Sequence, residues 1–465
     1  MSRTNGSPSP RPALVLLLLI NLFNYVDRQV LAAVVPWIEK SFFGGAGGAK
    51  QAGALEALQA WCQSHLGFQP DLALIGVLSM AFMVLYMVGA PLFGRLAERH
   101  PRWALVGIGV ILWSLASGAS GLASGFFALL LTRCFVGVGE AAYGPVAPAI
   151  LSDLYPVEQR GRILAWFYMA IPVGSALGYV LGGAVGGSSI GDAGARLLGI
   201  HAESWRWAFF LVVPPGLILG LWAFFMKEPA RGQADGTADG AARVRLRDYV
   251  ILLKTPSWIL CTMGMTAMTF AIGGIAFWMP FYLAHLPGAP ASATVIFGGI
   301  TCVAGLVATL LGGMAGDRLR SRFPGSYFLV SGAAMLVGFP FLLLTLNAGF
   351  PAIWIWVFVA CFCLFFNTGP SNTILANVSH PSMRAASYAL NIFLIHAFGD
   401  VISPVVIGIV ADRTDMRHAF LVVGAMFLVA GIVWLAGTRY LARDTELAPT
   451  RLSSQPASRR RREAP

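Results

Sequence analysis

The chain has 465 residues, of which 57% are hydrophobic and only 11% are charged, and its mean hydropathy is +0.71. A typical soluble domain carries roughly 25% charged residues, and the buried fraction of a soluble fold rises only slowly with chain length. This composition therefore excludes a soluble enzyme, a disordered chain and a coiled coil. The apolar runs are long and do not alternate with polar residues, which favours membrane-spanning helices over the strands of a transmembrane barrel.

Twelve stretches are apolar enough to cross a bilayer as helices, which takes about 20 residues each. The predicted spans are 13–37, 72–94, 103–123, 126–151, 162–186, 206–226, 257–285, 293–316, 326–347, 351–379, 385–410 and 418–441. Residues 227–256 are rich in Gly and Ala with mixed charge, as a linker would be. The sequence thus predicts an all-α membrane protein with two six-helix bundles, 1–226 and 257–441, a cytoplasmic linker at 227–256 and a disordered basic cytoplasmic tail at 442–465.

The Lys and Arg residues orient the bundle, because such residues concentrate in cytoplasmic loops. If both termini are cytoplasmic, 24 of the 32 Lys and Arg residues lie in cytoplasmic segments and only 6 in outer loops. The remaining two, Arg28 and Arg133, lie inside spans. The net charge of +11 is therefore read as a topology signal and not as a nucleic-acid footprint. The chain has 28 Arg and 4 Lys, which is typical of a GC-rich bacterial genome, and we expect a multi-pass protein of the bacterial inner membrane.

Sequence motifs for other functions are missing. The six cysteines include no CxxC pair, so neither a metal site nor a disulfide framework is predicted. There is no P-loop and no HExxH sequence, and we expect neither a cofactor nor ATP-driven pumping. In the loop at 38–71, residues 51–65 have apolar side chains at helical spacing and predict a short amphipathic helix on the outer surface.

Span five carries a glycine at every fourth position over four turns. Such a row of small residues lets two membrane helices pack closely. The four positions are Gly174, Gly178, Gly182 and Gly186.

An internal repeat links the two halves of the chain. A Gly-x-x-x-acid-Arg sequence follows the second span and recurs 219 residues later, after the eighth. Its functional members are Gly94, Glu98 and Arg99 in the first copy and Asp317 and Arg318 in the second. Parallel six-span repeats are typical of one large class of secondary transporter, and the sequence resembles the cytoplasmic loop motif of the major facilitator superfamily.

This loop motif is predicted to act as a gate. The acid can accept hydrogen bonds from the exposed N–H groups at a neighbouring helix N-terminus. The Arg can pair with an acid on another helix, and Asp153 is the candidate. Such contacts would hold the cytoplasmic side shut in one state and break in the other. The alternative interpretation is a set of ordinary loop charges.

A closer resemblance is to Spinster-type transporters. It rests on four runs: NLFNYVDR at 21–28, LTRCFVGVGEA at 131–141, FYMAIPVGSALGY at 167–179 and HAFGDVISP at 396–404. Residues 367–372 are more polar than that family's usual stretch. The resemblance implies proton-linked export of lysolipids or sphingoid-type lipids, with helices one and four beside a central cavity.

Four charged residues fall inside the predicted spans of the first half. Each costs about 2.5–3.5 kcal/mol at the bilayer centre, so such residues mark functional sites. Asp27 and Arg28 lie mid-span in helix one, and Arg133 and Glu140 lie two turns apart on one side of helix four. Our hypothesis is that Asp27 and Glu140 carry protons, while Arg28 and Arg133 bind an anionic headgroup or neutralise the acids. The alternative is a static ion-pair network.

Further candidates flank this cluster. His396 and Asp400 lie one turn apart in span eleven and can titrate as a coupled site. The substrate-binding candidates are Asn24 and Tyr25 in span one and Phe277 and Trp278 in span seven. The two aromatic residues of span seven could contact an acyl chain, or simply face lipid.

The leading functional interpretation is a proton-coupled transporter of an amphipathic anionic lipid that works by alternating access, driven by the proton gradient. Its expected partners are the lipid or another amphipathic small molecule, protons and the bilayer, without nucleic acid, and we expect a monomer. The alternatives are a proton-driven exporter of small organic anions or drugs, and a receptor or scaffold that does not transport. An intramembrane enzyme would need a nucleophile–base or metal constellation, for which only His396 and Asp400 give a hint.

Overall fold

The computed structural model describes residues 10–44, 53–199, 201–230, 249–380 and 383–451. Within those ranges the chain forms helices joined by short loops and contains no strand. Twelve helical segments are long and apolar enough to cross a membrane, and they coincide with the twelve predicted spans. The prediction of an all-α membrane protein with twelve spans is therefore confirmed.

The helices are numbered in chain order. The first nine are α1 (Pro10–Phe42), α2 (Ala54–Leu66), α3 (Asp71–Arg99), α4 (Arg102–Gly121), α5 (Phe126–Tyr143), α6 (Val146–Leu154), α7 (Val157–Gly186), α8 (Ile190–Leu198) and α9 (Ser204–Ala223). The others are α10 (Tyr249–Leu253), α11 (Pro256–His285), α12 (Ala293–Arg320), α13 (Ser326–Asn347), α14 (Ile353–Phe366), α15 (Thr368–Val378), α16 (Arg384–Ile395), α17 (Ser403–Arg413), α18 (Met416–Gly437) and α19 (Leu441–Leu447). Twelve crossings, an even number, place the two ends of the described chain, residues 10 and 451, on one side of the membrane. We call it the terminal side, and the other the opposite side.

Three spans are interrupted helices, and a proline lies at each interruption. Span four consists of α5 and α6, span ten of α14 and α15, and span eleven of α16, a π-helical segment at His396–Asp400 and α17. Pro145, Pro370 and Pro404 have no N–H group with which to continue the α-helical hydrogen-bond ladder. The local sequence thus contributes to each interruption, although α1, α3, α7, α9, α11 and α13 each continue through a proline.

The short helix predicted within the loop at 38–71 is present as α2, and its place on the outer surface stays a prediction. It spans Ala54–Leu66, and residues 51 and 52 lie outside the described ranges. Among its apolar residues Leu55 and Cys62 are buried, whereas Trp61 is 52% exposed. The Gln59 side chain donates a 2.6 Å hydrogen bond to Asp71, which ties α2 to the start of α3.

The tail predicted to be disordered from residue 442 begins with ordered structure. Helix α19 is followed by a 3-10 turn at Ala448–Thr450. The buried Asp444 accepts the Ser257 N–H at 2.8 Å and pairs with Arg451 at 2.6 Å. This double contact holds α19 against the start of α11. The rest of the tail, 452–465, lies outside the described residues, as does 231–248 of the predicted linker.

The chain divides into two compact units. The first takes in the described parts of 1–239 with 276–302 and 404–419, and the second those of 240–275, 303–403 and 420–465. The division into halves at the linker stays a prediction. Each unit is described by itself below.

The glycine row of α7 lies against α1 within the first unit. A Cβ atom added at Gly174 would lie 2.5 Å from the Leu22 carbonyl oxygen, and one at Gly178 would lie 2.5 Å from that of Val26. Since real Cβ atoms do not approach oxygen so closely, only glycine allows this separation of the two backbones. The glycine row therefore fixes the position of the middle of α1, where Asp27 and Arg28 lie.

We expect Gly178→Ala to destabilise the protein, because the added methyl group would push α7 away from α1. Overpacking of this kind costs about 1–3 kcal/mol, and the thermal unfolding midpoint in detergent should fall. The matched control is Gly299→Ala in α12, since a Cβ atom at Gly299 meets nothing within 4 Å. An unchanged midpoint in the Gly178 variant would contradict this account of the α1–α7 contact.

Candidate functional site

Asp27 lies in the middle of α1 and is almost fully buried. Its Oδ1 atom accepts a short hydrogen bond from the Ser117 hydroxyl of α4, and its Oδ2 atom has no hydrogen-bond partner among the described residues. Sequence reasoning missed Ser117. A signal was present, because Ser114, Ser117 and Ser120 form a row of hydroxyls at every third residue of an otherwise apolar helix.

Arg28, the next residue of α1, forms an ion pair with Glu140 of α5. The Arg28 Nε and Nη2 atoms lie 2.7 Å and 2.6 Å from the same carboxylate oxygen, Oε2. Glu140 is 1% exposed and its other oxygen has no hydrogen-bond partner among the described residues, whereas Arg28 keeps 17% exposure. The pair therefore has a wholly enclosed acid and a cation that still reaches accessible space.

Three aromatic rings surround the Arg28 guanidinium. The ring centroids of Tyr25, Phe82 and Tyr86 lie 4.9, 5.0 and 5.1 Å from its central carbon. All three are within the range of cation–π attraction. Tyr25 was predicted from sequence. Phe82 and Tyr86 of α3 were not, although their spacing of four residues puts them on one helix face.

Arg133 lies two turns before Glu140 on α5 and is 1% exposed. Its Nε and Nη1 atoms have no hydrogen-bond partner among the described residues. Its charge interacts with that of Asp27, and the Phe82 ring centroid lies 5.6 Å from its central carbon. The structure thus brings the four predicted charges together as two acids and two cations. Of the two cations, Arg28 has the larger exposed fraction, 17% against 1% for Arg133.

Asn24 is buried one turn before Arg28. Its Nδ2 atom makes no hydrogen bond of standard geometry among the described residues, although the side chain lies close enough to Glu140 to interact with its carboxylate. Asn21, one turn earlier, donates to the Phe167 carbonyl of α7 at 2.8 Å. A second contact between α1 and α7 therefore supports the segment that carries the site.

His396 and Asp400 form a close pair in the second unit. The His396 Nδ1 atom lies 2.9 Å from both oxygens of Asp400, and both side chains are partly exposed. The residues span the π-helical segment, in which the Val401 N–H bonds to the His396 carbonyl. Such segments occur frequently at functional sites.

The two aromatic residues proposed to contact an acyl chain are both buried. Trp278 is fully enclosed and donates its indole N–H to the Pro404 carbonyl at 2.9 Å. Phe277 is 6% exposed and packs edge-to-face on Trp278 at 5.0 Å. Trp278 therefore holds α11 against the start of α17 and does not line an accessible surface. The aromatic spacing could not distinguish these roles.

The loop motif does not pair as predicted. Asp153 was expected to bind Arg99, but its Oδ2 atom lies 2.5 Å from Nη1 of Arg102, while Arg99 and Glu98 are exposed. Arg102 also bonds to Glu228 at 2.6 Å, and Glu228 accepts the first N–H groups of α4. Arg102 is the first residue of α4, whose N-terminus needs an acid, so it lies where two carboxylates meet.

The remaining motif positions are near helix ends on the terminal side. Asp317 accepts the Tyr327 hydroxyl at 2.7 Å. Gly94 has open space around its α-carbon, and Arg318 is exposed. Within the described ranges, no group of three or more His, Cys, Asp or Glu side chains is arranged to hold a metal ion.

Comparisons with known proteins identify the family. The model of the Major Facilitator Superfamily matches residues 17–399. Protein spinster homolog 1 from Bos taurus is 35% identical over 439 residues, which cover 89% of this chain and 75% of that protein. Protein spinster homolog 3 from Danio rerio is 31% identical over 477 residues, covering 95% and 88%.

Solved structures agree on the fold. A bacterial homologue of the human lysosomal transporter Spinster, crystallised inward-facing and unoccupied, matches with a TM-score of 0.78 and 20% identity, over 95% of this chain and 99% of that one. A D-xylose–proton symporter matches with a TM-score of 0.68 and 17% identity, over 92% and 97%. At such identities the likeness shows the fold alone. The family model and the spinster relatives establish that this chain belongs to the major facilitator superfamily and, within it, to the Spinster-type transporters.

Proposed function

We propose that the protein is a proton-coupled secondary transporter that moves an amphipathic anionic lipid, of the lysophospholipid or sphingosine-phosphate type, by alternating access. The observation that carries this proposal is the ion pair between Arg28 and Glu140, buried beside a second acid and a second cation. We further propose that it acts as a monomer in a bacterial inner membrane, with the terminal side cytoplasmic.

Proton and anion binding are linked through Arg28. While Glu140 is ionised, its carboxylate accepts the hydrogen bonds of the Arg28 guanidinium and competes with any anionic ligand for it. A proton on Glu140 removes that charge and leaves Arg28 free to bind an anionic headgroup, for which the guanidinium fork is well suited. By linkage, an anion bound to Arg28 must in turn favour protonation of Glu140. This competition couples proton binding at Glu140 to anion binding at Arg28, and no other residue is needed for that coupling.

Asp27 is the second proposed proton carrier. Its counter-charge is Arg133, which is enclosed and therefore serves the acid and not the ligand. Ser117 donates to one oxygen and leaves the other without a hydrogen bond, so a proton can be added there without breaking an existing contact. In the second unit, His396 and Asp400 are proposed as a further proton-binding pair.

The aromatic rings around Arg28 favour a lipid over a small hydrophilic anion. Tyr25, Phe82 and Tyr86 surround the cation with apolar area. A headgroup that leads into an acyl chain can place its charge on Arg28 and its chain on Tyr25 and Tyr86, which are half-buried, whereas Phe82 is enclosed. The Spinster-type resemblance implies the same substrate class.

We expect reconstituted protein to accumulate labelled lysophospholipid when a pH gradient is imposed across proteoliposomes. Labelled small organic anions of the same charge serve as the competing substrate class, and protein-free liposomes give the background. Transport of the small anions alone would overturn the lipid assignment and support the alternative exporter. Absence of gradient-driven transport of either class would overturn proton coupling.

We expect Glu140→Gln to bind anionic lysolipid about tenfold more tightly at pH 8 than the unchanged protein, a difference of about 1.4 kcal/mol. The reason is that the neutral amide no longer competes for Arg28. Lysophosphatidylglycerol is a suitable ligand, because its phosphodiester keeps one charge over this pH range. In the unchanged protein the affinity should rise as the pH falls, whereas in the variant it should change little.

A neutral monoacylglycerol is the control, and its affinity should be the same in both proteins. Equal pH dependence in both proteins would refute the competition.

We expect Asp27→Asn to abolish gradient-driven accumulation while exchange of labelled for unlabelled lysolipid continues. The amide still accepts the Ser117 hydrogen bond but no longer binds a proton. Asp192→Asn, at an exposed residue of α8, is the matched control and should behave as the unchanged protein. If loss of the counter-charge to Arg133 prevents folding, the double change of Asp27→Asn and Arg133→Gln tests the same point. Normal gradient-driven transport in either variant would show that Asp27 is not a proton carrier.

A further inference from the structure

The start of α3 is capped by a carboxylate from a distant part of the chain. Asp412, near the end of α17, accepts the Leu72 N–H at 2.9 Å with one oxygen and the Ala73 N–H at 2.8 Å with the other. These N–H groups belong to the first turn of α3, where no intrahelical acceptor exists. Pro70, which precedes α3, provides no side-chain cap. Asp412 therefore supplies the acceptors that the local sequence lacks.

The two helices also touch through their backbones. A Cβ atom at Gly408 of α17 would lie 2.6 Å from the Leu72 carbonyl oxygen, and one at Gly76 of α3 would lie 2.5 Å from that of Pro404. Each helix thus contributes one glycine to a seam that runs from Asp412 to Pro404. All of these residues belong to the first compact unit. The seam is on the opposite side of the membrane, where α3 begins and α17 ends.

The seam joins spans two and eleven, which belong to different repeats of the sequence. It has the properties of a contact that can open. Its polar part consists of one carboxylate that accepts hydrogen bonds from two N–H groups. The positive end of the α3 dipole strengthens this interaction. Beside this polar part the two backbones approach closely, and the central carbon of the Arg413 guanidinium lies 4.4 Å from the Phe68 ring centroid.

We propose that Asp412 is a latch that holds the opposite side of the transporter closed and releases the first turn of α3 each time that side opens. The proposal rests on the proposed function only in requiring alternating access, in which contacts that close one side must separate when that side opens. Asp412 is a positioning residue in this scheme and touches no substrate. Its removal shifts the protein towards the state that is open on the opposite side.

The test measures opening directly. Ala73→Cys, introduced together with Cys62→Ser, places a buried thiol beside the seam. Its labelling by a hydrophilic maleimide is followed in lipid nanodiscs by mass spectrometry of the labelled peptide. We expect Asp412→Ala to raise the labelling rate about fivefold or more, the change in population that follows from loss of a modest coupling between two states. Asp412→Asn, which keeps one acceptor, should give a smaller rise and also serves if the alanine variant does not fold.

Glu228→Gln is the matched control. Glu228 also accepts two successive N–H groups at the start of a span, those of Arg102 and Trp103, but it joins α4 to the segment after α9 within one repeat. We expect its loss to lower the thermal midpoint without changing the labelling of the introduced thiol. An unchanged rate in both Asp412 variants would overturn the latch. An equal rise in the Asp412 and Glu228 variants would also overturn it, since general loosening would then explain the labelling. The assay needs neither substrate nor pH gradient, so its failure is distinct from failure of the lipid or proton assignment.

Discussion

Charges buried in an apolar chain must be compensated inside the protein, and this constraint organises the first unit. Asp27, Arg28, Arg133 and Glu140 come from only two helices, α1 and α5, and are held together by a hydroxyl from α4 and an aromatic face from α3. Removal of one partner from such a cluster leaves an uncompensated charge, which is far more costly than removal of both. If a group in this cluster gains or loses a proton, the cluster therefore remains electrically balanced only when a ligand or a neighbouring group supplies the missing charge.

Much of this architecture could be predicted from sequence because it depends on local composition. Length and apolarity defined the twelve spans, and the rarity of charge within them identified the cluster. Which acid pairs with which cation could not be predicted from the sequence. Arg28 could have paired with either Asp27 or Glu140, and the structure shows that it pairs with Glu140. Trp278 shows the same limit, because an aromatic residue at a suitable helical spacing can either line a cavity or close a packing contact.

The side chains that cap the N-termini of three helices could not be predicted from the sequence, because they come from distant parts of the chain. Helices α3, α4 and α11 each begin at or just after a proline, and the residues that precede α3 and α4 provide no side-chain cap. The acceptors for the three helices are Asp412, Glu228 and Asp444, each more than a hundred residues away along the chain. A cap supplied at such a separation leaves no local pattern. For the same reason the sequence did not indicate the contact of Asp153 with Arg102, since Arg102 is oriented by Glu228, which the loop motif does not contain.

The order of synthesis separates the two partners of the Arg28–Glu140 ion pair in time. The two residues are 112 positions apart, and at about 5–20 residues per second Glu140 is made about 6–20 seconds after Arg28. During that interval α1 has no access to its acidic partner. Asp27 and Arg28 are adjacent and opposite in sign, so the nascent helix carries no net charge at this position before span four exists.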